Sequence, residues 1–275
     1  MIIEKTDDSK DDFMEAVGLA TYSNSKPTVM SYVSIFEGLW RQAESYEELK
    51  VHEKMQKEFI NIAAHELRTP AQCILGYAEL AQEFPLESLK GGEVLISIYN
   101  NAKRLQRLVE DILDVTRIES QTFKIRKEKV NLNEKMRNAI NDLKAQIHNA
   151  HKVKIVFLEP KQPIYVNADK VRIYQVISNL LNNAIKFTED GAISIDINIK
   201  DKHEVVISIK DTGTGINPEI MAWLFTKFAT KSDTGTGLGL FISKAIIEGH
   251  SGKIWAENNP DGKGATFAFS IPLNA

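Results

Sequence analysis

A chain of 275 residues, 43% hydrophobic and 26% charged, is long enough for about two domains and has the composition of ordinary globular protein. Its net charge of −3 gives no electrostatic basis for nucleic acid or an anionic membrane as partner, and the single cysteine, Cys73, excludes an internal disulfide and any cysteine-built metal cluster. No apolar run approaches the roughly 18 residues of a membrane span, and residues 1–8 lack the basic segment and apolar core of a signal peptide, so a cytoplasmic chain without a membrane segment is expected.

Residues 1–27 read as a flexible N-terminal segment, with Asp7, Asp8, Asp11 and Asp12 clustered and Pro27 at its close. A long helix is predicted from about Thr28, with no proline before Pro70, and continues through Leu80. Ile35, Leu39, Tyr46 and Leu49 keep coiled-coil intervals, with Gln42 interrupting the seam; residues 28–57 therefore read as a signalling helix or coiled coil, the alternative being a monomeric amphipathic helix. Cys73 reads as a small buried hydrophobe rather than a redox thiol. Residues 84–92 carry Pro85, Gly91 and Gly92 and predict a turn. In the next helix Leu95, Ile98, Ala102, Leu105, Val109 and Ile112 repeat at 3-4-3-4-3 intervals, while Lys103, Arg104, Arg107 and Glu110 fall off that seam. Two such helices make an antiparallel hairpin with one apolar face. A lone hairpin cannot bury that face, so two copies are expected to associate as a dimeric four-helix bundle.

From about Gln121 the pattern changes. Residues 123–130 alternate, 131–147 are helical, 154–158 and 164–166 are strand-like, and 169–187 are helical again. Residues 192–199 and 205–210 alternate as strands; a helix to about Glu248 follows, then strands over 253–257 and 266–271. This mixture predicts an α/β layer structure with helices covering one face of a sheet.

Three motifs carry chemistry. On the helix over 169–187, Asn179, Asn183 and Lys186 are spaced i, i+4, i+7, which aligns two amides and an ammonium on one face. Asparagine is disfavoured inside helices, and an amide oxygen is a ligand type that Mg²⁺ accepts beside water and phosphate oxygens. Asp211-Thr-Gly213-Thr-Gly215 follows a strand, so its carboxylate sits at a strand end, where it can accept from the exocyclic amine of adenine; the glycines let backbone pass close to a flat base. Gly235-Thr236-Gly237-Leu238-Gly239 opens a helix and frees N–H groups for an anion. It matches neither a dinucleotide fingerprint, which needs a preceding strand, nor a Walker A loop, which needs Gly-Lys-Ser/Thr. Upstream, His65 heads His-Glu66-Leu-Arg-Thr69-Pro70. A zinc-protease His-Glu-x-x-His reading fails because position 69 is threonine. The other five histidines (52, 148, 151, 203 and 250) have no comparable setting.

In this order the motifs resemble the sensor histidine kinases, within the wider ATPase superfamily that includes gyrase and Hsp90. Residues 59–70 resemble the H box, 179–187 the N box, 211–215 the G1 box, 224–228 the F box and 235–240 the G2 box. The resemblance implies a dimerisation and histidine phosphotransfer domain over 58–120 and a two-layer, Bergerat-type α/β sandwich that binds ATP over 121–275. It implies that Asn183 holds Mg²⁺ with help from Asn179, that Lys186 contacts phosphate and Phe187 flanks the nucleotide, and that Asp211 reads adenine. Gly213, Gly215, Ile216, Lys231, Gly235, Thr236, Gly237, Leu238 and Gly239 complete the nucleotide contacts. Residues 217–234 would form a mobile lid anchored by Phe225 and Phe228, with Lys227, Thr230 and Lys231 suited to phosphate.

His65 would accept the γ-phosphoryl group, since neutral imidazole keeps a free lone pair near pH 7, and Glu66 would hydrogen-bond its other ring nitrogen. The Glu66–Thr69 pattern accompanies phosphatase activity in the family, although Thr69 before Pro70 is also what a helix kink uses. The expected partners are a second copy and, because the chain closes just after Ile271-Pro272, a response-regulator receiver domain on a separate chain. Two rival readings are a catalytically silent dimeric adaptor, disfavoured by intact Glu66, Asn183 and both glycine clusters, and an ATP-driven clamp, which would carry a glutamate where Gln175 and Asn179 stand.

Overall fold

The computed structural model describes residues 2–5, 17–21, 25–83, 91–146, 152–201, 203–229 and 236–273. The chain divides into two compact units, Met1–Asn61 and Ile62–Ala275. In the first, β1 (Ile2–Lys5) pairs antiparallel with β2 (Val17–Thr21), with a register irregularity between Glu4 and Lys5. β-Branched Ile2, Ile3 and Val17 suit an extended backbone, but the two strands are too short for periodicity to announce them.

The helix α1 (Lys26–Glu83) follows, 58 residues long. Val29, Ile35, Phe36, Leu39 and Trp40 lie exposed on its first turns. Its later part, in the second unit, passes through Pro70 without ending. The proline has no N–H for the carbonyl four residues earlier; next to that position the Thr69 hydroxyl donates to the His65 carbonyl at 3.3 Å. Cys73 is half-buried rather than enclosed.

The second bundle helix is α2 (Gly91–Glu119). Its buried line is Val94, Leu108 and Val115, while Leu95 and Val109 of the predicted seam are exposed, as are Ile96, Tyr99 and Leu113. Periodicity locates an apolar helix but not which of its stripes a neighbour covers. Part of α2 lies against a helix of the α/β layer, α6 below.

The rest is an α/β layer. A five-stranded sheet runs in the order β4 (Lys152–Leu158), β6 (Asp190–Lys200), β7 (Glu204–Asp211), β9 (Ala265–Pro272), β8 (Lys253–Asn258). Only β4 and β6 are parallel; the other neighbours are antiparallel. A separate two-stranded ladder joins β3 (Glu128–Asn131) to β5 (Tyr165–Ala168), so the alternation over 123–130 becomes strand only in its last part. Helices α3 (Leu132–Gln146), α4 (Lys170–Lys186) and α6 (Gly239–Gly249) pack together on the sheet. A four-residue helix, α5 (Pro218–Met221), precedes α6.

The core follows from the two periods of the sequence. Along α4, Ile173, Val176, Ile177, Leu180, Leu181 and Ala184 are buried, one stripe at helical spacing. Against them stand Ile193, Ile195 and Ile197 of β6 and Val205, Ile207 and Ile209 of β7, every second residue. Truncating one of the leucines, for example Leu180→Ala, costs about 2–5 kcal/mol. The same alternation carries Asp211, the next odd position of β7, onto the helix-covered face at the strand end, where it is 3% exposed. Among the described residues no helix is long and apolar enough to cross a membrane.

Candidate active site

The site is held between α4, the ends of β7 and β8, and the start of α6. Asp169 caps α4: one carboxylate oxygen accepts from Val171 and Arg172 N–H at 3.1 Å each, and the other from Arg126 N–H at 2.9 Å. The Asp169 N–H donates to His250 Nε2 at 2.8 Å, and His250 Nδ1 meets the Ile246 carbonyl at 2.7 Å. An unprotonated Nε2 and an Nδ1–H donor are the assignment these partners require. One buried imidazole therefore ties the start of α4 to the end of α6.

With the apolar stripe of α4 turned to the sheet, Asn179, Asn183 and Lys186 face sideways. Asn179 is committed to structure: its amide donates to Ser243 Oγ at 3.0 Å, and its oxygen would lie 2.4 Å from any Cβ at Gly239. Asn183 and Lys186 line a cavity of about 510 Å³ together with Phe187, Asp211, Gly215, Ile216, Thr236, Gly237 and Gly239. That volume is of the size that encloses a small-molecule ligand.

Asp211 is the most elaborately fixed of these groups. Its Oδ1 accepts from Gly213 N–H at 2.9 Å and Ala265 N–H at 3.2 Å. Burial raises its pKa, and those amide hydrogen bonds partly offset the effect. The backbone around it leaves no room for side chains: a Cβ on Gly213 would sit 2.0 Å from the Phe187 carbonyl oxygen, and one on Gly264 2.1 Å from the Asp211 carbonyl oxygen. Two residues that sequence reasoning passed over complete the frame. Asn259 donates to the Asp211 carbonyl and the Lys263 carbonyl, each at 2.7 Å, and accepts from Thr266 Oγ1 at 2.7 Å. Asn258 grips both backbone groups of Ile216, at 2.7 and 2.8 Å.

At the opposite end, Leu238 N-caps α6 without a side-chain hydrogen bond, leaving the first N–H groups of an 11-residue helix to a ligand. Gly237 takes φ +65 and packs 2.6 Å, measured from a Cβ position, against the Phe228 backbone, a conformation and a contact that only glycine accommodates. Lys231, Gly235 and Thr230 lie outside the described residues. In the expected lid, Leu224 is the buried anchor at 5% exposure, whereas Phe225 and Phe228 are half-buried. Lys227 pairs with Glu119 of α2.

Another part of the cavity wall comes from the bundle helices: Glu66 of α1 and Arg104, Arg107, Leu108 and Asp111 of α2. His65 itself is 75% exposed, with Nδ1 4.0 Å from Glu66 Oε1. The expected His65–Glu66 hydrogen bond is thus not made; Glu66 Oε2 accepts from Arg104 at 3.0 Å instead. Burial lowers the pKa of Lys186, Arg104 adds to that and Glu66 opposes it. Asp111 is pushed up to about 6 by burial, then by Asp114 and Glu110, with Arg107 opposing. Below this wall Asp114, 3% exposed, receives both guanidinium nitrogens of Arg172, one at 2.9 Å, and the Gln175 amide at 3.2 Å. This joint fastens α2 to α4.

Comparisons with known proteins match both parts of the chain that line this cavity. The family "Histidine kinase-, DNA gyrase B-, and HSP90-like ATPase" matches residues 168–275, and "His Kinase A (phospho-acceptor) domain" matches residues 55–121. The chain belongs to the sensor histidine kinases. It is 34% identical over 252 residues to the sensor histidine kinase RcsC of Escherichia coli strain K12, covering 89% of this chain and 26% of RcsC. This chain thus spans about a quarter of the length of that curated relative. Among solved structures, full-length ShkA in complex with AMPPNP superposes with a TM-score of 0.58 at 26% identity, covering 78% of this chain and 45% of ShkA. The histidine kinase ThkA in complex with the response regulator protein TrrA gives 0.55 at 30% identity, covering 76% of this chain and 59% of ThkA. As in other sensor kinases of this family, a helical hairpin precedes an α/β ATPase layer.

Proposed function

We propose that the chain is a dimeric protein-histidine kinase that phosphorylates His65 from Mg²⁺-ATP and passes the phosphoryl group to an aspartate on a separate response regulator. The observation that carries this reading is the shared wall of the cavity: Asn183, Lys186 and Asp211 line it from the α/β layer, and Glu66, the neighbour of His65, lines it from the bundle. A nucleotide with adenine at Asp211 and its phosphates at Lys186 and the start of α6 points its terminal phosphate toward that rim. Residues 121–275 then act as the nucleotide-binding domain, residues 58–120 as the dimerisation and phosphotransfer domain and 28–57 as the signalling helix.

Asp211 accepts from the adenine amine, with its position set by Asn259 and the Gly213 and Ala265 amides. Phe187 flanks the nucleotide, and Ile216, held by Asn258, closes its other side. Gly237 and Gly239 present backbone N–H groups to phosphate, beside Leu238, whose N–H donates to Thr236 Oγ1 at 3.3 Å. Asn183 offers one neutral oxygen to Mg²⁺. That suits an ion which keeps most of its shell in water and phosphate oxygens; among the described residues no cluster of acidic, histidine or cysteine side chains would hold a metal unaided. When bound, Mg²⁺ supplies charge neutralisation on the phosphates.

His65 Nε2 attacks the γ-phosphorus; the N–P bond forms as the bond to the ADP oxygen breaks. The proton on Nδ1 leaves to Glu66, the adjacent carboxylate. The aspartate of the regulator then takes the phosphoryl group, and imidazole leaves. ThkA bound to TrrA supports docking of such a regulator. Thr69, one turn beyond His65, is suited to orient water for dephosphorylation of the regulator. Leu95, Ile96, Tyr99, Val109 and Leu113, exposed within one chain, supply the apolar area that a second copy would cover. Use of ATP places the activity in the cytoplasm.

Labelled ATP tests the reading. The chain should acquire an acid-labile label that His65→Gln abolishes while nucleotide binding persists. A chain that binds ATP and stays unlabelled would instead be the silent adaptor.

A further inference from the structure

Arg104 stands outside every sequence motif, yet it reaches into the heart of the site. It lines the same cavity as Lys186 and Asn183 and donates to Glu66 Oε2 at 3.0 Å across 38 residues of chain. The pair is asymmetric in exposure, 42% for the Arg104 side chain and 14% for Glu66. Arg107, the other arginine on this wall, acts on Asp111; Arg104 acts on Lys186, whose pKa it lowers. Arg104 and Lys186, from different helices, thus line one cavity with Glu66. With Arg107 and Asp111 counted, three cations face two carboxylates on the wall that holds Glu66, the neighbour of His65.

Resting on the kinase reading, we propose that Arg104 is a catalytic residue that exchanges Glu66 for the terminal phosphate of the bound nucleotide, thereby releasing Glu66 to His65. A half-exposed ion pair is held weakly in water, whereas a planar guanidinium grips phosphate through two parallel hydrogen bonds. The terminal phosphate carries more charge than one carboxylate, so it wins the arginine. Glu66 Oε1 is already 4.0 Å from His65 Nδ1; losing its tether lets it close the short remaining gap and accept the Nδ1 proton. Before nucleotide arrives the tether keeps the acceptor occupied, so the histidine is aligned only when there is a phosphate to receive.

The exchange predicts selectivity between triphosphate and diphosphate. Displacement of a fluorescent ATP analogue from the full chain by AMPPNP and by ADP measures it, alongside single-turnover labelling of His65. Arg104→Ala should weaken AMPPNP by about 10-fold to 100-fold, the worth of a charge-assisted hydrogen bond pair, and leave ADP within about twofold. Labelling at saturating ATP should fall by at least about 10-fold, and Arg104→Lys should restore part of both losses. Equal weakening of AMPPNP and ADP, or full labelling in Arg104→Ala with the wild-type nucleotide preference, overturns the proposal while leaving a labelled wild type as a kinase. A wild-type chain that neither binds nucleotide nor labels overturns this proposal and the kinase reading together.

Discussion

The α/β layer closes on itself, whereas the bundle helices do not. Ile173, Ile177, Leu180 and Leu181 of α4 and Ile193, Ile195, Ile207 and Ile209 of the sheet are fully enclosed, but α2 leaves Leu95, Ile96, Tyr99, Val109 and Leu113 in solvent. The chemistry divides the same way. His65 and Glu66 are adjacent residues of one helix and owe their proximity to the sequence alone. The Asp211 end is assembled from α4, β7 and the β8–β9 connection, with bonds that span 48 and 54 residues. One region therefore places its phosphoacceptor beside its base locally and has an unfinished core, whereas the other has a finished core and a base-reading carboxylate fixed by non-local bonds. Substitutions should accordingly damage function and stability together in the layer and separately in the bundle.

The largest of the effects that bear on this comparison is expected at one of the layer's closest backbone passages. A methyl group at position 213 would meet the Phe187 carbonyl oxygen at 2.0 Å and the carbonyl carbon at 2.7 Å. Neither backbone atom can move without disturbing Thr214 N–H, which donates to the same carbonyl at 3.2 Å. Gly213→Ala should cost about 3 kcal/mol of stability, at the upper end of overpacking penalties, and nucleotide affinity should fall with it. Urea unfolding and nucleotide titration on one preparation check both. In contrast His65→Gln removes activity at no structural cost. If Gly213→Ala were as stable as wild type, the contrast between the regions would fail.

How far each region was legible in sequence follows the same division. The helix period of α4 and the strand period of β6 and β7 were readable because burial in a layer has one face and one period. The glycine clusters, Asn183 and Asp211 were readable because their residue types are costly or conspicuous where they stand. Asn258 and Asn259 were not. In sequence they belong to Asn-Asn-Pro-Asp-Gly, which reads as a turn, and their grip on Ile216 and Asp211 exists only once β8, β9 and β7 are aligned. Arg104 read as an off-seam surface charge because its partner, Glu66, is on the other arm of the hairpin. Leu95 and Val109 read as seam because periodicity cannot say whether the same chain or another covers a stripe. The β1–β2 ladder was invisible at four and five residues.

A middling effect is expected at the joint between the two regions, and it sharpens the comparison. Asp114 is buried on α2 and bound by Arg172 and Gln175 of α4, with Arg117 3.7 Å away; Arg172 also lies over the Phe123 ring at 4.7 Å. Removing one partner of a buried pair usually leaves a costly orphan charge. Here Gln175 and Arg117 remain to share it, so Arg172→Ala should cost about 1–2 kcal/mol. ADP affinity should stay unchanged, since no nucleotide-lining group is touched, while the labelling rate of His65 should fall because the layer no longer holds its cavity against Glu66. An unchanged labelling rate would mean that the joint has no part in phosphoryl transfer.

The smallest effect separates layer stability from everything else through pH. His250 is fully buried, and its pKa is lowered, by burial first and then by Lys127, against the opposing influence of the Ile246 carbonyl and Asp169. Its Nε2 accepts from the Asp169 N–H, so protonation there would set two donors face to face. Because the folded pKa lies below that of an unfolded histidine, about 6.5, the unfolded chain takes up this proton first as pH falls. Stability contributed by neutral His250 is therefore present above that value and lost as pH drops through it toward the folded pKa. Asp111, pushed up to about 6 by burial, and Asp211, also raised by burial, act with the opposite sign: the folded state binds their protons first, which adds stability on acidification. The wild-type profile alone would mix these contributions. Comparing it with His250→Gln, whose amide oxygen can still accept from Asp169, isolates the imidazole. The gap in urea midpoint between wild type and variant should shrink between about pH 7.5 and about pH 5.5. A gap that stays constant would mean that the imidazole linking α4 to α6 carries its proton through folding unchanged, and that the layer's closure at this end does not depend on a neutral ring.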